Sequence, residues 1–350
     1  MFRPTQIAIP SLVRVKPGAI DRVGIYLSRA DQRQAVVLVS EGLIDSIASA
    51  MRRSLEANGI ETTAWIEVAD NSLELAARLF VELPGRTSAI IGLGGGRALD
   101  IAKYVAFLAR RPFYAVPTSL SNDGICSPQS SLTVRGQRRT LPAALPGGVI
   151  VDTRVCGGAP RPLLLSGVGD LVAKFTAVTD WKLAFHALGE PVNDFACLLS
   201  DSAVHAFRSH PAFDAEGIRL LASGLMLNGI AMEIAGSSRP ASGSEHLISH
   251  ALDQICPRPR LHGLQVGVAT YLISRVQGQQ SELIDELFAD TGFWTLLADE
   301  PFSLATWREA IRLAPQIKQD YYTVLTSPAN RQRAVDLLQS DPRLAACFID

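Results

Sequence analysis

Thr87-Ser88-Ala89-Ile90-Ile91-Gly92-Leu93-Gly94-Gly95-Gly96 is the stretch whose reading decides the fold. A short apolar run of strand character passes directly into three glycines, and apolar residues then recur at helical spacing from Ala98 to Leu108. A strand, a glycine turn and a helix in that order make half of a βαβ unit. Working outward, Ala35-Val36-Val37-Leu38-Val39-Ser40 reads as a buried strand, Ile44 to Ala57 as an amphipathic helix, Thr62 to Val68 as a strand and Leu73 to Leu83 as a helix. Phe113 to Val116 and Val149-Ile150-Val151-Asp152 supply two more strands. Such alternation predicts a parallel sheet with helices on its faces, a Rossmann-like α/β domain.

Prolines and glycines cluster from Pro146 to Pro162, and the pattern changes there. Beyond Leu163 apolar residues recur at helical spacing over 167–187, 192–207, 213–236, 243–255, 262–276, 281–298 and 303–318. The expected architecture is an α/β amino-terminal domain over 1–158 followed by an all-helical domain over 159–350.

Bulk properties narrow the function. At 350 residues the chain is long enough for two domains, and 47% apolar with 19% charged residues is ordinary globular composition. A net charge of -1 leaves no broad basic face for counterion-driven binding, so nucleic acid is excluded as an expected partner. Met1 to Gly18 lacks an apolar run of signal-peptide length and is interrupted by Pro4, Pro10 and Pro17. Runs such as Ala35 to Ser40 and Ser88 to Leu93 are far shorter than the roughly 20 residues that cross a bilayer, so no membrane partner is expected. Five scattered cysteines without a C-x-x-C pair argue against a disulfide framework and against a thiolate zinc site. A cytoplasmic location fits these features.

Three constellations carry chemistry. Gly94, Gly95 and Gly96 allow a backbone to approach a pyrophosphate, and the helix behind them directs unpaired N–H groups at an anion. The spacing is not G-x-G-x-x-G, so a tight turn and a phosphate site are both open readings. Asp100 in the first turn of that helix either belongs to the site or complements the helix dipole. Pro117-Thr118-Ser119-Leu120-Ser121-Asn122-Asp123-Gly124 follows a strand, at the carboxyl end where open α/β sheets bind ligands; it reads equally as a turn with local side-chain bonds. Last come Gly167-Val168-Gly169-Asp170, Glu245-His246 with His250, and His262-Gly263. One carboxylate and two imidazoles make a three-ligand site with an open position, as catalytic zinc requires. Three of the six histidines fall between 246 and 262, whereas His186, His205 and His210 stand apart and read as structural or surface groups. Lys174 and Arg239 flank these motifs as phosphate partners or solvated charges. Glu41, directly after the Ala35 to Ser40 strand, reads as a ribose acceptor favouring NAD over NADP or as a solvated loop acid.

In this order the motifs resemble the iron-type alcohol dehydrogenase superfamily, whose fold is dehydroquinate synthase-like, and within it the sn-glycerol-1-phosphate dehydrogenase family. The resemblance runs from about Ala89 to Val268. It rests on Gly94-Gly95-Gly96-x-x-x-Asp100-x-x-Lys103, on Pro117-Thr118-Ser119-x-Ser121-Asn122-Asp123-Gly124-x-x-Ser127-Pro128, on Ser166-Gly167-x-Gly169-Asp170, on Gly243-Ser244-Glu245-His246-x-x-x-His250 and on Leu261-His262-Gly263. It implies cofactor contacts at Gly94, Gly95, Gly96, Arg97, Ala98, Asp100, Thr118, Ser119, Ser121 and Ser127. It implies metal ligation by Asp170, His246 and His262, and substrate contact or proton relay by Asp123 and His250. One departure stands out: the family's glutamate after the His-Gly pair is Leu264 here, which removes a charge beside the metal-ligand segment.

The implied activity is NAD- or NADP-linked reduction of dihydroxyacetone phosphate to sn-glycerol 1-phosphate. One divalent ion is implied, zinc first, with iron or nickel as alternatives. The expected partner is a small phosphorylated triose, and the expected assembly a homo-oligomer. Alternatives are a related polyol dehydrogenase, a dehydroquinate-synthase-like cyclase that uses NAD transiently, and a catalytically silent metabolite-binding protein.

Overall fold

The computed structural model describes residues 7–350, so Pro4 and the rest of Met1 to Gln6 lie outside the described residues. The chain forms two compact units, one ending at Ala159 and the other beginning at Pro160.

The first unit contains β1 (Leu12–Lys16), α1 (Val23–Arg29), β2 (Gln34–Ser40), α2 (Asp45–Glu56), β3 (Glu61–Val68), α3 (Leu73–Val81), β4 (Ala89–Gly94), α4 (Gly96–Ala109), β5 (Phe113–Pro117), β6 (Gln129–Val134), β7 (Gln137–Pro142), β8 (Gly148–Asp152) and α5 (Thr153–Gly157). Six strands make one parallel sheet in the order β1-β8-β5-β4-β2-β3. Its central strands are apolar on both faces, and Val37, Ile90, Ile91 and Val149 have no exposed surface, as a sheet covered by helices on both sides requires. Burying a side chain of this size contributes about 1.5–3 kcal/mol. The order reverses between β2 and β4, because β3 lies on one side of β2 and the later strands build outward from the other. Ligands of open α/β sheets bind at such a reversal, outside the carboxyl ends of the strands. Ser40 and Gly94, the last residues of β2 and β4, stand there.

Sequence pattern did not anticipate β1, whose partly exposed Leu12–Lys16 carries two basic residues, nor the hairpin of β6 and β7. The hairpin turns at Arg135 and Gly136, both at positive φ, and β7 is polar and largely exposed, so no period-two apolar signal marks it.

The second unit comprises α6 (Arg161–Val172), α7 (Lys174–Leu188), α8 (Asp194–Arg208), α9 (Ala215–Ala235), α10 (Ser244–Ile255), α11 (His262–Gln277), α12 (Ser281–Thr291), α13 (Phe293–Asp299), β9 (Phe302–Ser303), α14 (Leu304–Ile317), α15 (Pro328–Ser340), α16 (Pro342–Ala345) and β10 (Phe348–Ile349). It is helical apart from the two-residue parallel pairing of β9 with β10. The apolar period over 281–298 is divided at Gly292, whose φ of +77° ends α12, and Arg161 Nη2 donates to the Thr291 carbonyl there at 2.7 Å. The helices α15 and α16 lie beyond the last periodic segment, and α15 buries only Ala334, Val335 and Leu338.

Two helical stretches are longer than the apolar runs singled out from sequence. Arg161–Leu188 and Ala215–Ala235 reach mean hydropathies of 1.2 and 1.4, enough by length and composition to cross a membrane. Burial within the protein covers 83% and 56% of those windows, as in core helices of a folded unit.

Candidate functional site

In the first unit the glycine run is set by close approach. Gly94 has φ +143°, and a Cβ there would lie 2.1 Å from Ser40 Oγ. Gly95 is the N-cap of α4, and its N–H donates to the same Ser40 hydroxyl at 3.1 Å. The first intrahelical bond runs from Leu99 N–H to the Gly95 carbonyl. Gly96, Arg97 and Ala98 therefore present N–H groups without intrahelical acceptors at the positive end of a 14-residue helix, as an anion site needs. Thr118 N–H donates to the Gly94 carbonyl at 3.0 Å, which ties the loop after β5 to the glycine turn. Lys103 is buried and donates to the carbonyls of Gly124 and Gln129 at 2.8 and 2.7 Å, so α4 also holds the loop's far side. Ser119 and Ser127 are buried, while Ser121 and Asp123 are partly exposed. Asn122 makes the expected Asx turn, its Oδ1 accepting from Gly124 N–H at 2.9 Å.

Among the expected cofactor residues, Arg97 and Asp100 have charged side chains held by protein partners. The Arg97 guanidinium donates to the Ala69 carbonyl at 2.8 Å. The Asp100 carboxylate lies 3.5 Å from Lys103 Nζ, and burial pushes its pKa up against the pull of Lys103 and Arg138. Ser40, which locks the glycine turn, was missed by sequence reasoning; its position after a β-branched run, on the strand beside the reversal, is the signal that would have found it. Alanine at Gly94 forces the turn away from Ser40, and G94A is expected to raise KM for the dinucleotide at least about tenfold with metal content unchanged. Steady-state kinetics and metal analysis of the same preparation check this.

In the second unit the predicted ligands converge. Single ligand atoms of Asp170 on α6, His246 on α10 and His262 on α11 lie within 4.8 Å of one another. His246 Nε2 is 3.4 Å and His262 Nε2 3.9 Å from Asp170 Oδ1. Glycines make the convergence possible. A Cβ on Gly169 would lie 2.0 Å from the Gly263 carbonyl oxygen, and one on Gly263 would lie 1.8 Å from that of Ser166. The backbones of α6 and α11 thus touch, with Gly263 N–H donating to Ser166 Oγ at 3.1 Å, and Asp170 and His262 each sit one residue from the contact.

The segment leading into α10 is held at successive residues. The Ala241 carbonyl accepts from Lys174 Nζ at 3.1 Å, the Ser242 carbonyl from Tyr321 Oη at 2.5 Å, and Asp180 Oδ2 accepts from Ser244 N–H at 2.7 Å. Glu245 is fully buried and accepts from Thr176 Oγ1 at 2.9 Å, while its Oε1 lies 2.9 Å from His246 Nδ1. A carboxylate behind a ligating imidazole fixes its orientation and raises its basicity. Ser249 Oγ lies 3.0 Å from His262 Nδ1. His250 shares a helix face with His246, and its ring stacks on His262 at a centroid distance of 5.7 Å, beside the three-residue cluster rather than within it. Leu264 is buried in α11.

Neither flanking cation is a solvated charge. Lys174 has no exposed surface and stands 4.0 Å from Asp170 Oδ1; Arg239 is 1% exposed, pairs with Glu190 and stacks 3.6 Å over Tyr321. His205 lies against Phe175, and His210 bonds Asp214 on the surface, as expected of histidines outside the cluster. All five cysteines are free and four are buried, with burial pushing the Cys126 thiol up to about 12.

Charge explains the ligand set. Burial alone would raise Asp170, but Lys174 and the His246 hydrogen bond outweigh it and hold the carboxyl well below the usual range. For His246 burial opposes the imidazolium, yet hydrogen bonds to Asp170 and Glu245 push it up to about 9. The stability this proton contributes to the ion-free protein is complete below the ordinary histidine pKa and is lost as pH rises through about 9. A metal needs the neutral imidazole, so the affinity of the site for zinc should weaken by about tenfold per unit as pH falls below that value. Competition with a chelator across this range, with proton release followed by an indicator, measures it. A carboxylate oxygen and two imidazole nitrogens fit a divalent ion of the zinc or iron type.

The sequence pattern of the family described as iron-containing alcohol dehydrogenase matches residues 14–160. The chain is 35% identical over 340 residues to the glycerol-1-phosphate dehydrogenase [NAD(P)+] of Methanothermobacter thermautotrophicus, covering 96% of this chain and 97% of that protein. It is 36% identical to the corresponding protein of Aeropyrum pernix, over 95% and 96% of the two lengths. The likeness therefore extends well beyond the Ala89 to Val268 stretch that carries the motifs. The crystal structure of glycerol dehydrogenase from Schizosaccharomyces pombe superposes with a TM-score of 0.76 over 99% of this chain and 92% of that one, at 19% identity, a likeness of fold. With the α/β sheet, the glycine turn and the Asp-His-His cluster in place, this chain belongs to the glycerol-1-phosphate dehydrogenase family of the iron-containing alcohol dehydrogenases.

Proposed function

We propose that the protein catalyses the reversible NAD(P)H-linked reduction of dihydroxyacetone phosphate to sn-glycerol 1-phosphate in the cytoplasm, as a homo-oligomer. The observation that carries this reading is the convergence of Asp170, His246 and His262, in a chain whose relatives are named for that reaction. The Gly94 to Ala98 turn and the loop from Thr118 to Ser127 would hold the dinucleotide, which would supply hydride to the second carbon of the substrate. Asp170, His246 and His262 would hold a divalent ion, zinc in the first instance, which would supply Lewis acidity at that carbon's oxygen.

The protein's own groups have three tasks. Asp170 brings one negative charge, held ionised by Lys174. His246 and His262 bring neutral nitrogen donors whose other ring nitrogens are occupied. His250, partly exposed and stacked on His262, hands a proton from solvent to the developing hydroxyl, and Asp123 orients the substrate. One NAD(P)H and one proton are consumed for each alcohol formed.

The test is the loss of reduced-nicotinamide absorbance with dihydroxyacetone phosphate, with unphosphorylated dihydroxyacetone as comparison and with each dinucleotide in turn. Consumption that requires the phosphate ester and stops on chelation is expected. Turnover of the unphosphorylated triose alone would identify a polyol dehydrogenase, and no net consumption with any triose would overturn the oxidoreductase reading.

A further inference from the structure

The two imidazoles of the cluster spend Nδ1 on different partners. His246 faces the Glu245 carboxylate at 2.9 Å, whereas His262 faces the hydroxyl of Ser249 at 3.0 Å. Ser249 Oγ is also 3.2 Å from Gln265 Oε1. An amide oxygen accepts and cannot donate, so the single hydroxyl proton of Ser249 points at Gln265. What Ser249 offers His262 is then a lone pair, and Nδ1 must carry the proton. The unprotonated nitrogen is Nε2, the atom turned toward Asp170. Ser249 has no exposed surface and Gln265 is 2% exposed, so bulk water does not compete for these bonds.

Helix spacing places both residues where this requires. Ser249 follows His246 by three positions on α10, and Gln265 follows His262 by three on α11, so each shares a helix face with a ligand. We propose that Ser249 and Gln265 are positioning residues, a neutral relay that sets the tautomer and ring orientation of His262 and readies Nε2 for the ion before it binds. The inference rests on the metal reading above and goes beyond its ligands. The two imidazoles are thereby held differently, His246 by the Glu245 carboxylate and His262 by the Ser249 hydroxyl.

The full-length protein is tested with zinc. Nitrogen-15 NMR of the imidazoles in the ion-free wild type, in alkaline buffer, is expected to show His262 protonated on Nδ1. Zinc affinity, measured against a chromophoric chelator, should weaken by about 10- to 100-fold in S249A and in Q265M, with His262 shifting toward the Nε2–H tautomer. Wild-type affinity and an unchanged tautomer in both S249A and Q265M overturn the relay. So does a wild-type His262 protonated on Nε2, a result that needs no variant to fold. A wild type that takes up no zinc sinks the metal reading and the relay together.

Discussion

The H262A protein is expected to purify without a divalent ion and to reduce dihydroxyacetone phosphate about three to five orders of magnitude more slowly than wild type, since Lewis-acid stabilisation of the transition state is worth several kcal/mol. The geometry concentrates the loss. Two nitrogens and one oxygen within 4.8 Å are the whole ligand cluster among the described residues, so removing one leaves a carboxylate and an imidazole already 3.4 Å apart and sharing a proton. With its pKa near 9, His246 would keep that proton at neutral pH rather than yield it to a weakly held ion. Metal analysis and the nicotinamide assay should fall together, with circular dichroism unchanged because His262 sits at the start of α11 and is not part of the glycine contact. A metal-free variant with full turnover would remove the metal from the mechanism.

The second large effect is structural. Alanine at Gly263 would place a methyl carbon 1.8 Å from the Ser166 carbonyl oxygen, a backbone atom of a buried helix that has no side-chain rotation with which to yield. Helices α6 and α11 must separate, and the N–H of residue 263 loses Ser166 Oγ. Overpacking of this kind costs roughly 3 kcal/mol or more. For a unit of this size that corresponds to a fall in Tm of roughly 6–12 °C. The same separation moves Asp170 from His262, so zinc affinity in G263A is expected to drop along with the stability of the ion-free protein, whereas H262A changes affinity and, with both proteins ion-free, spares Tm. Thermal denaturation of the two variants side by side distinguishes them; equal melting temperatures in G263A and wild type would show that the contact is looser than the structure has it.

Much of the fold was legible because its signals are local. Val36 to Val39 and Ile90 to Leu93 are apolar without interruption because both faces of the sheet are covered, and such runs can be seen in a window of a few residues. The hairpin of β6 and β7 was not legible: Gln137 to Pro142 is exposed and polar, so nothing in its pattern separates strand from loop. The break of the 281–298 period at Gly292 was equally hidden, since the apolar pattern continues across a residue whose left-handed φ is what divides the helix.

The candidate site divides along the same line. Asp170, His246 and His262 could be chosen by residue type, because few side chains ligate a metal, and a separation of four residues is enough to put His246 and His250 on one helix face. Lys174 and Arg239 could not be assigned, as burial is decided by whatever packs around a side chain, and both proved to be enclosed by protein partners. Ser40, Ser249 and Gln265 carry no signature at all: a serine or a glutamine is common, and its role arises from the atom opposite. By itself the sequence determined most of the elements, the parallel class of the sheet and the residue types of the candidate ligands, all consequences of short-range periodicity and side-chain chemistry. Only the tertiary structure decided that β2 and β4 are neighbours at the reversal, that α6 and α11 touch through glycine, and that each imidazole is held by its far nitrogen. Those outcomes depend on contacts between residues distant in the chain, which packing creates and no local pattern records.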